Sequence, residues 1–442
     1  MPIPCSAENA AAMLERTDRL GIPLGPGQPV SFMRALGRRQ DWIELTVVAA
    51  LLVEPFSLFE HPGVYLRSGF FGSVERALRA AGHHVSFIPA DFRRFKEINE
   101  RFDARVFATA AAPPDKNGQI SLSLHAGATV ELIQEVSRDP DKRLIVETSR
   151  SYPRTFGISP DHPHSISIED VDVWIEAEEA PPEVPDIKVG EVEESIAARL
   201  VDLIESGATL QTGIGGVPSA VVELLAKGSG GDYGIHSEMF TTGLMRLHEA
   251  GKISNKKGIF DGLSITTFAM GSRELYEWLD GAEAVRFLPV AIVNDPAVIE
   301  ANRNMVAINS ALSIDLFGQI VADSISGTQY SGIGGHEDFL AGTGRMTSGR
   351  SVLCLPSTVE LDGHRQSRIV AELPSGSLVT SPRHQIDMVV SEFGTAELAG
   401  RTVEERALAL VEIAHPSARD ELRAAAREIG QRGVLSQPHG AR

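Results

Sequence analysis

The run "LQTGIGGVPSAVVELL" (Leu210 to Leu225) constrains the fold more than any other stretch. An apolar, strand-like segment ends in Gly213, Ile214, Gly215 and Gly216. Val217 and Pro218 then open a pattern with apolar residues at helical spacing. A strand that turns this sharply into a helix needs glycine in the turn, and proline suits the first helical turn. The same alternation runs through the first half. "DWIELTVVAALL" (Asp41 to Leu52), "ARVFATAAAPPDKNGQISL" (Ala104 to Leu122), "KRLIVETS" (Lys142 to Ser149) and "DVDVWIEAEE" (Asp170 to Glu179) contain strand-like runs. "VERALRAAG" (Val74 to Gly82) and "ATVELIQEVS" (Ala128 to Ser137) have helical spacing between them. Strands separated by helices imply βαβ units and a mainly parallel sheet.

A stretch rich in proline and acids, "EEAPPEVPDIKVGEVEE" (Glu178 to Glu194), interrupts the pattern and reads as an exposed linker. A second α/β half follows, opening with the helix-like "SIAARLVDLIESG". The halves echo each other. "NGQIS" (Asn117 to Ser121) returns as "FGQIV" (Phe317 to Val321), and "DVDVWIE" returns later, in the same order, as "QIDMVVSE" (Gln385 to Glu392). The expectation is two similar open, mainly parallel α/β domains, residues 1–183 and 184–442, with a C-terminal amphipathic helix over "TVEERALALVEIAHPSARDELRAAAREIG".

Composition narrows the partners. A formal net charge of −18 argues against nucleic acid or an anionic membrane as the main partner, but not against an anionic small molecule held by backbone amides. The two cysteines lie far apart and suggest neither a disulfide framework nor a zinc site. No segment has the roughly 18 uncharged apolar residues of a membrane span. The start carries Glu8 and no basic region, so the expectation is a reducing, cytoplasmic protein. The sequence leaves a homo-oligomer open.

Glycines between a strand and a helix expose backbone N–H groups beside a helix start, an arrangement that binds phosphate or a developing oxyanion. It also serves as an ordinary βα turn, and the loop alone does not decide. It is neither a Walker A loop nor a dinucleotide fingerprint. "TQYSGIGGHEDFLAGT" (Thr328 to Thr343) supplies a second such turn at Gly332, Gly334 and Gly335, followed by His336, Glu337 and Asp338 as capping groups for a helix. Between the two turns lies "GDYGIHSEMF" (Gly231 to Phe240). There Ser237 and Glu238 read either as a helix start or as chemistry. If each motif ends a neighbouring strand, the three converge at the strands' C-terminal edge. His83, His84, His162 and His164 lack further ligands at metal spacing, and Cys354 reads as a core residue. With no serine elbow present, a carboxylate is the best available nucleophile. Its attack on an activated acyl group needs an oxyanion hole and no metal.

At this point the residues resemble a known family. "LQTGIGGVPSAV", "GIHSEMFTTGLMRLHEAGKISN", "NSALSIDLFGQIVADSISGTQYSGIGGHEDF", "LPST", "SRIV", "VTSPR" and "VVSEFGTAELAGRT" closely resemble the family I CoA-transferases of the acetyl-CoA hydrolase/4-hydroxybutyrate CoA-transferase group. "PPDKNGQISLS" and "PRTFG" match more loosely, and "SLFEHPGVYLRSGFFG" does not match. The resemblance implies that Glu238 is the nucleophile, held ionised by a first-turn position. It implies that Gly213 to Val217 lies beside the reacting thioester, that the Gly332 to His336 turn contacts CoA, and that the site lies between the domains. The implied partners are acyl-CoA, with coenzyme A as part of the substrate, and small carboxylic acids such as acetate, butyrate, 4-hydroxybutyrate, succinate or itaconate. An acyl-CoA hydrolase using the same glutamate is the alternative, and a non-catalytic CoA-thioester-binding protein is a third reading. The first half is expected to line part of the acyl pocket, with Arg67 on the surface rather than paired to a second substrate carboxylate.

Overall fold

The protein is described by a computed structural model covering residues 4–185, 188–346, 348–361 and 363–432. Seven strands of the first half are β1 (Thr17–Leu24), β2 (Glu44–Ala50), β3 (Val64–Ser68), β4 (Val85–Phe87), β5 (Val106–Ala111), β6 (Arg143–Ser149) and β7 (Val173–Ala177). They form one parallel sheet in the order β4-β3-β2-β1-β5-β6-β7. The second half contributes β8 (Thr209–Thr212), β9 (Gly234–Ile235), β10 (Met305–Ser310), β11 (Arg350–Cys354), β12 (Met388–Ser391) and β13 (Gly394–Glu397). Their order is β9-β8-β10-β11-β12-β13, parallel except for the last, antiparallel pair. All six residues of β5 and all four of β8 are buried, as strands covered on both faces require.

The two sheets share one winding: β2-β1-β5-β6-β7 repeats as β9-β8-β10-β11-β12. The sequence echo is a repeated turn. Asp115 Oδ1 accepts the amides of Asn117 (2.8 Å) and Gln119 (2.9 Å), and Asp315 Oδ1 accepts those of Phe317 (3.0 Å) and Gln319 (2.9 Å). Gly118 (φ 74°) and Gly318 (φ 90°) take the left-handed conformation at equivalent points. The fold is therefore two similar, mainly parallel α/β halves.

The interval between the sheets contains the 183/184 boundary, but the core runs across it. Ala110, Ile120 and Leu144 belong to the same buried cluster as Leu210, Val221 and Phe240. The proline-rich stretch is only partly a free linker. Pro181 is buried, the Tyr276 hydroxyl donates to Pro182 O (2.6 Å), and Val184 N donates to Gly271 O (2.9 Å). Asp186 and Ile187 of that stretch lie outside the described residues. The C-terminal segment is two helices, Val403–Glu412 and Arg419–Arg432, not one. Pro416 between them cannot supply a helical N–H. Among the described residues no helix is long and apolar enough to cross a membrane.

Candidate active site

Three adjacent strands of the second sheet carry the site at their C-terminal ends. Gly213–Gly216 follows β8, Glu238 follows β9, and the Gly332–Gly335 turn lies on the excursion that leaves β10. Glu238 is not in a helix. It stands between β9 and the short strand Met239–Phe240, and the next helix begins at Thr242 with Thr241 as its cap. The cap expected of Ser237 is absent because its hydroxyl is committed elsewhere. The residue is buried, accepts the Thr212 amide at 3.4 Å and donates to Met239 O at 2.9 Å. On the other side His236 donates from Nε2 to Val293 O at 2.7 Å, and burial pushes its pKa down to about 3, so the ring is neutral. The Glu238 carbonyl accepts Thr267 N (3.0 Å), Phe268 N (3.2 Å) and Thr266 Oγ1 (3.0 Å). The backbone beneath the carboxylate is thus fixed from three directions.

The carboxylate itself meets residues distant in sequence. Asn294 Nδ2 donates to Glu238 Oε2 at 2.7 Å and to Asp338 Oδ2 at 2.9 Å. Asp338 is fully buried and pairs with Arg93 from the first half, whose own amide also donates to it at 3.2 Å. Asp338 is therefore not the helix cap expected of it, although the helix His336–Thr343 does begin there. Desolvation pushes the Glu238 carboxyl up, to about 8; the Asn294 hydrogen bond opposes this, Asp338 adds to it, and the Gly335 amide opposes it. This corrects the expectation of a carboxylate kept ionised by a helix start: there is no such helix, and the surrounding protein favours the proton. The side chain keeps a partly exposed edge in the cleft.

That cleft has a cavity volume of about 190 Å³. Gly213, Ile214, Gly334 and Glu238 line it from the second half, and Phe70, Phe92 and Phe95 from the first. Gly335 lies against the Glu238 carboxylate: a Cβ there would stand 2.0 Å from Glu238 Oε2. Gly332 packs on Phe70, where a Cβ would meet the ring at 2.6 Å. Other expected residues face elsewhere. Gly215 borders a neighbouring hollow with Pro218 and Gly271, Gly216 turns toward Glu193, and Val217 is core. His336 is buried, with Nε2 2.8 Å from Ser381 Oγ. Arg67 is exposed over the Phe102 ring and does not line the cleft. Cys354 is buried, and desolvation pushes its thiol up to about 12.

Sequence reasoning missed Asn294, Arg93 and Phe70. The first two carry no local signal, because their partners Glu238 and Asp338 lie 56 and 245 residues away in the chain. The glycine-flanked pair in "SGFFG" was the one visible signal for Phe70, since glycines beside aromatics often mark a close approach.

The Gly215 and Gly216 positions separate conformation from space. Gly215 has φ +132°, where any side chain is strained, whereas a Cβ on Gly216 would meet only the flexible Glu193 side chain at 2.9 Å. Gly215→Val is expected to cost about 1–3 kcal/mol of stability and to lower kcat/KM at least tenfold by moving the Gly213–Ile214 wall. Gly216→Ala should leave both within about threefold. Chemical denaturation and steady-state kinetics on the pair check this, and equal effects would contradict it.

Comparison with known proteins gives these features a family. Residues 271–426 match the acetyl-CoA hydrolase/transferase C-terminal domain. The 4-hydroxybutyrate coenzyme A transferase of Clostridium kluyveri is 34% identical over 433 residues, covering 94% of this chain and 95% of the relative. The succinyl-CoA:cyclohexane-1-carboxylate CoA transferase of Geobacter metallireducens is 33% identical over 432 residues, covering 97% and 95%. The crystal structure of RipA from Yersinia pestis superimposes with a TM-score of 0.88 at 31% identity, covering 96% of this chain and 97% of that one. The repeated α/β halves and the matched relatives define an enzyme of the CoA-transferase class. The chain belongs to the acetyl-CoA hydrolase/transferase family.

Proposed function

We propose that the enzyme moves CoA from an acyl-CoA to a carboxylic acid by a ping-pong mechanism with Glu238 as nucleophile. One observation carries this reading: a carboxylate fixed by its backbone and by Asn294, with an open edge in a cleft that both halves build. An oxygen of Glu238 attacks the thioester carbonyl. The C–S bond breaks, CoA thiolate leaves, and an acyl-glutamyl anhydride remains. The thiolate then attacks the Glu238 carbonyl, releasing the acid and leaving a glutamyl-CoA thioester. An incoming carboxylate reverses both steps, and no metal enters any of them. The Gly213–Ile214 and Gly334 backbone supplies the polar edge for the developing oxyanion. The substrates proposed are acyl-CoAs and small acids of the kind named for the relatives. The place proposed for the reaction is the cytoplasm.

Incubation with acyl-CoA alone is the test. The first half-reaction needs no acceptor, so borohydride should reduce the accumulated thioester, inactivate the enzyme and tag the peptide holding "GIHSEMF". An unmodified peptide from active, substrate-loaded enzyme would refute the mechanism. The apolar wall beside Glu238 favours transfer over hydrolysis, because water is poorly held there. Acyl-CoA alone should accordingly release the free acid as a single burst and little free thiol, because CoA stays on Glu238 as the thioester, whereas a hydrolase releases thiol steadily.

The pH dependence follows from the raised carboxyl. The attacking species is the anion, and a raised pKa means the free enzyme loses that anion as pH falls. The kcat/KM for acyl-CoA is expected to rise with pH through a value near 8, well above the ordinary carboxylate range. A profile already flat above pH about 5 would show an unperturbed carboxyl.

A further inference from the structure

We infer that the cleft beside Glu238 selects acyl groups that are bulky and uncharged at their far end, and discriminates against dicarboxylic acids. The inference rests on the reading that the acyl group enters this cleft to reach Glu238.

The wall opposite the carboxylate is apolar. Leu24, Leu51, Phe70, Phe92, Phe95 and Phe268 line it. Phe92 stands edge-on to Phe95 and to Phe268, with ring centroids 6.3 Å apart in each case. Gly69 makes the wall possible: a Cβ there would lie 2.4 Å from the Phe95 ring, so the ring occupies the space a side chain would need. Ala49, Gly127 and Ala128 contribute little bulk to the lining, which leaves width for a branched or cyclic group.

No lysine or arginine lines the cleft among the described residues. Two basic groups in the segment that carries Phe92 and Phe95, Arg93 and Lys96, are engaged. Arg93 pairs with Asp338 and, at 3.0 Å, with Asp91. Lys96 pairs with Glu100 at 2.6 Å. The polar wall groups, Asn99, Thr129 and His125, are neutral. His125 is fully buried, lies 3.2 Å from Thr129 Oγ1, and is pushed down to about 3 by desolvation, so it carries no charge at working pH. On the facing side stands the Glu238 carboxyl, raised to about 8, and behind it Asp338, already paired with Arg93, so neither offers a cation to a second carboxylate. A second substrate carboxylate would therefore lose water and gain no cation, which is unfavourable for any buried charge. An apolar chain end would gain by burying its surface.

Butyryl-CoA and succinyl-CoA isolate this effect. Their acyl chains have the same number of carbons and differ at the far end, methyl against carboxylate. Calorimetric titration of Glu238→Gln, which cannot turn over, is expected to show butyryl-CoA binding about 10²-fold tighter than succinyl-CoA. In the wild-type enzyme, competition against acetyl-CoA should give the same ranking, which keeps the test valid if the variant folds poorly. With acetyl-CoA as donor, butyrate and cyclohexanecarboxylate should exceed succinate and itaconate in kcat/KM by a similar factor. Succinyl-CoA binding as tightly as butyryl-CoA, or dicarboxylates accepted equally, overturns the inference. Borohydride trapping with acetyl-CoA tests the covalent reading separately. Trapping with no acyl preference removes the selectivity and keeps the mechanism; preference without trapping does the reverse.

Discussion

Glu238→Ala is expected to abolish transfer, by on the order of 10⁴-fold or more in kcat/KM, because it removes the group proposed to form the covalent intermediate. Glu238→Asp should retain only a trace. Removing a methylene withdraws the carboxylate by about an ångström, and a misplacement of that size costs on the order of 10²-fold in rate. It also breaks the 2.7 Å hydrogen bond from Asn294. Stability should move the other way. A carboxyl raised to about 8 is one whose ionised form the fold disfavours, so above the ordinary carboxylate range the wild-type group opposes folding. Neutral Glu238→Gln and Glu238→Ala should therefore melt at or above the wild-type temperature at pH 8. An inactive enzyme that is equally or more stable marks a residue kept for chemistry. Substantial turnover in the alanine variant would remove Glu238 from the mechanism.

How much of this was legible in the sequence depended on how local the cause is. The glycine turn at Gly213–Gly216 and the strand before it were visible because turn conformation and apolar runs are written in adjacent residues. The repeat was visible because the Asp115 and Asp315 turns need aspartate, glycine and glutamine at fixed offsets. The surroundings of Glu238 were not visible. Its polar partner Asn294 is 56 residues away, and the link to Asp338 spans 44 more. Arg93 reaches Asp338 from a half 245 residues distant. Only folding brings these together, so the sign of the Glu238 shift could not be read from "GIHSEMF". Reading that stretch as a helix start gave the opposite sign. The break at Pro416 was local and readable, yet the strong amphipathic pattern on both sides obscured it.

Gly335→Ala should be the most informative substitution apart from those at Glu238. The backbone there has φ −90°, which any residue adopts, so an added methyl causes no conformational strain. The methyl would, however, stand 2.0 Å from Glu238 Oε2 and 2.5 Å from Asn294 Nδ2, and neither distance is tolerable. The carboxylate has to swing toward the open cleft and give up Asn294. That loses the hydrogen bonds from Asn294 and from the Gly335 amide, roughly 1–2 kcal/mol of stability. It also displaces the attacking oxygen by about an ångström or more, which predicts a fall in kcat on the order of 10²-fold. Gly334→Ala is the converse control. Gly334 has φ +56°, and a Cβ there would lie 3.7 Å from Glu238 Oε1, an ordinary contact. Alanine should cost about 1–2 kcal/mol through the left-handed backbone while leaving the carboxylate in place. Adjacent glycines should therefore separate: one substitution mainly slows the enzyme and the other mainly destabilises it. Parallel measurement of kcat and of denaturant midpoints decides the matter. If Gly335→Ala turns over normally, the carboxylate is not held where the structure puts it, and Asn294 is not its positioning residue.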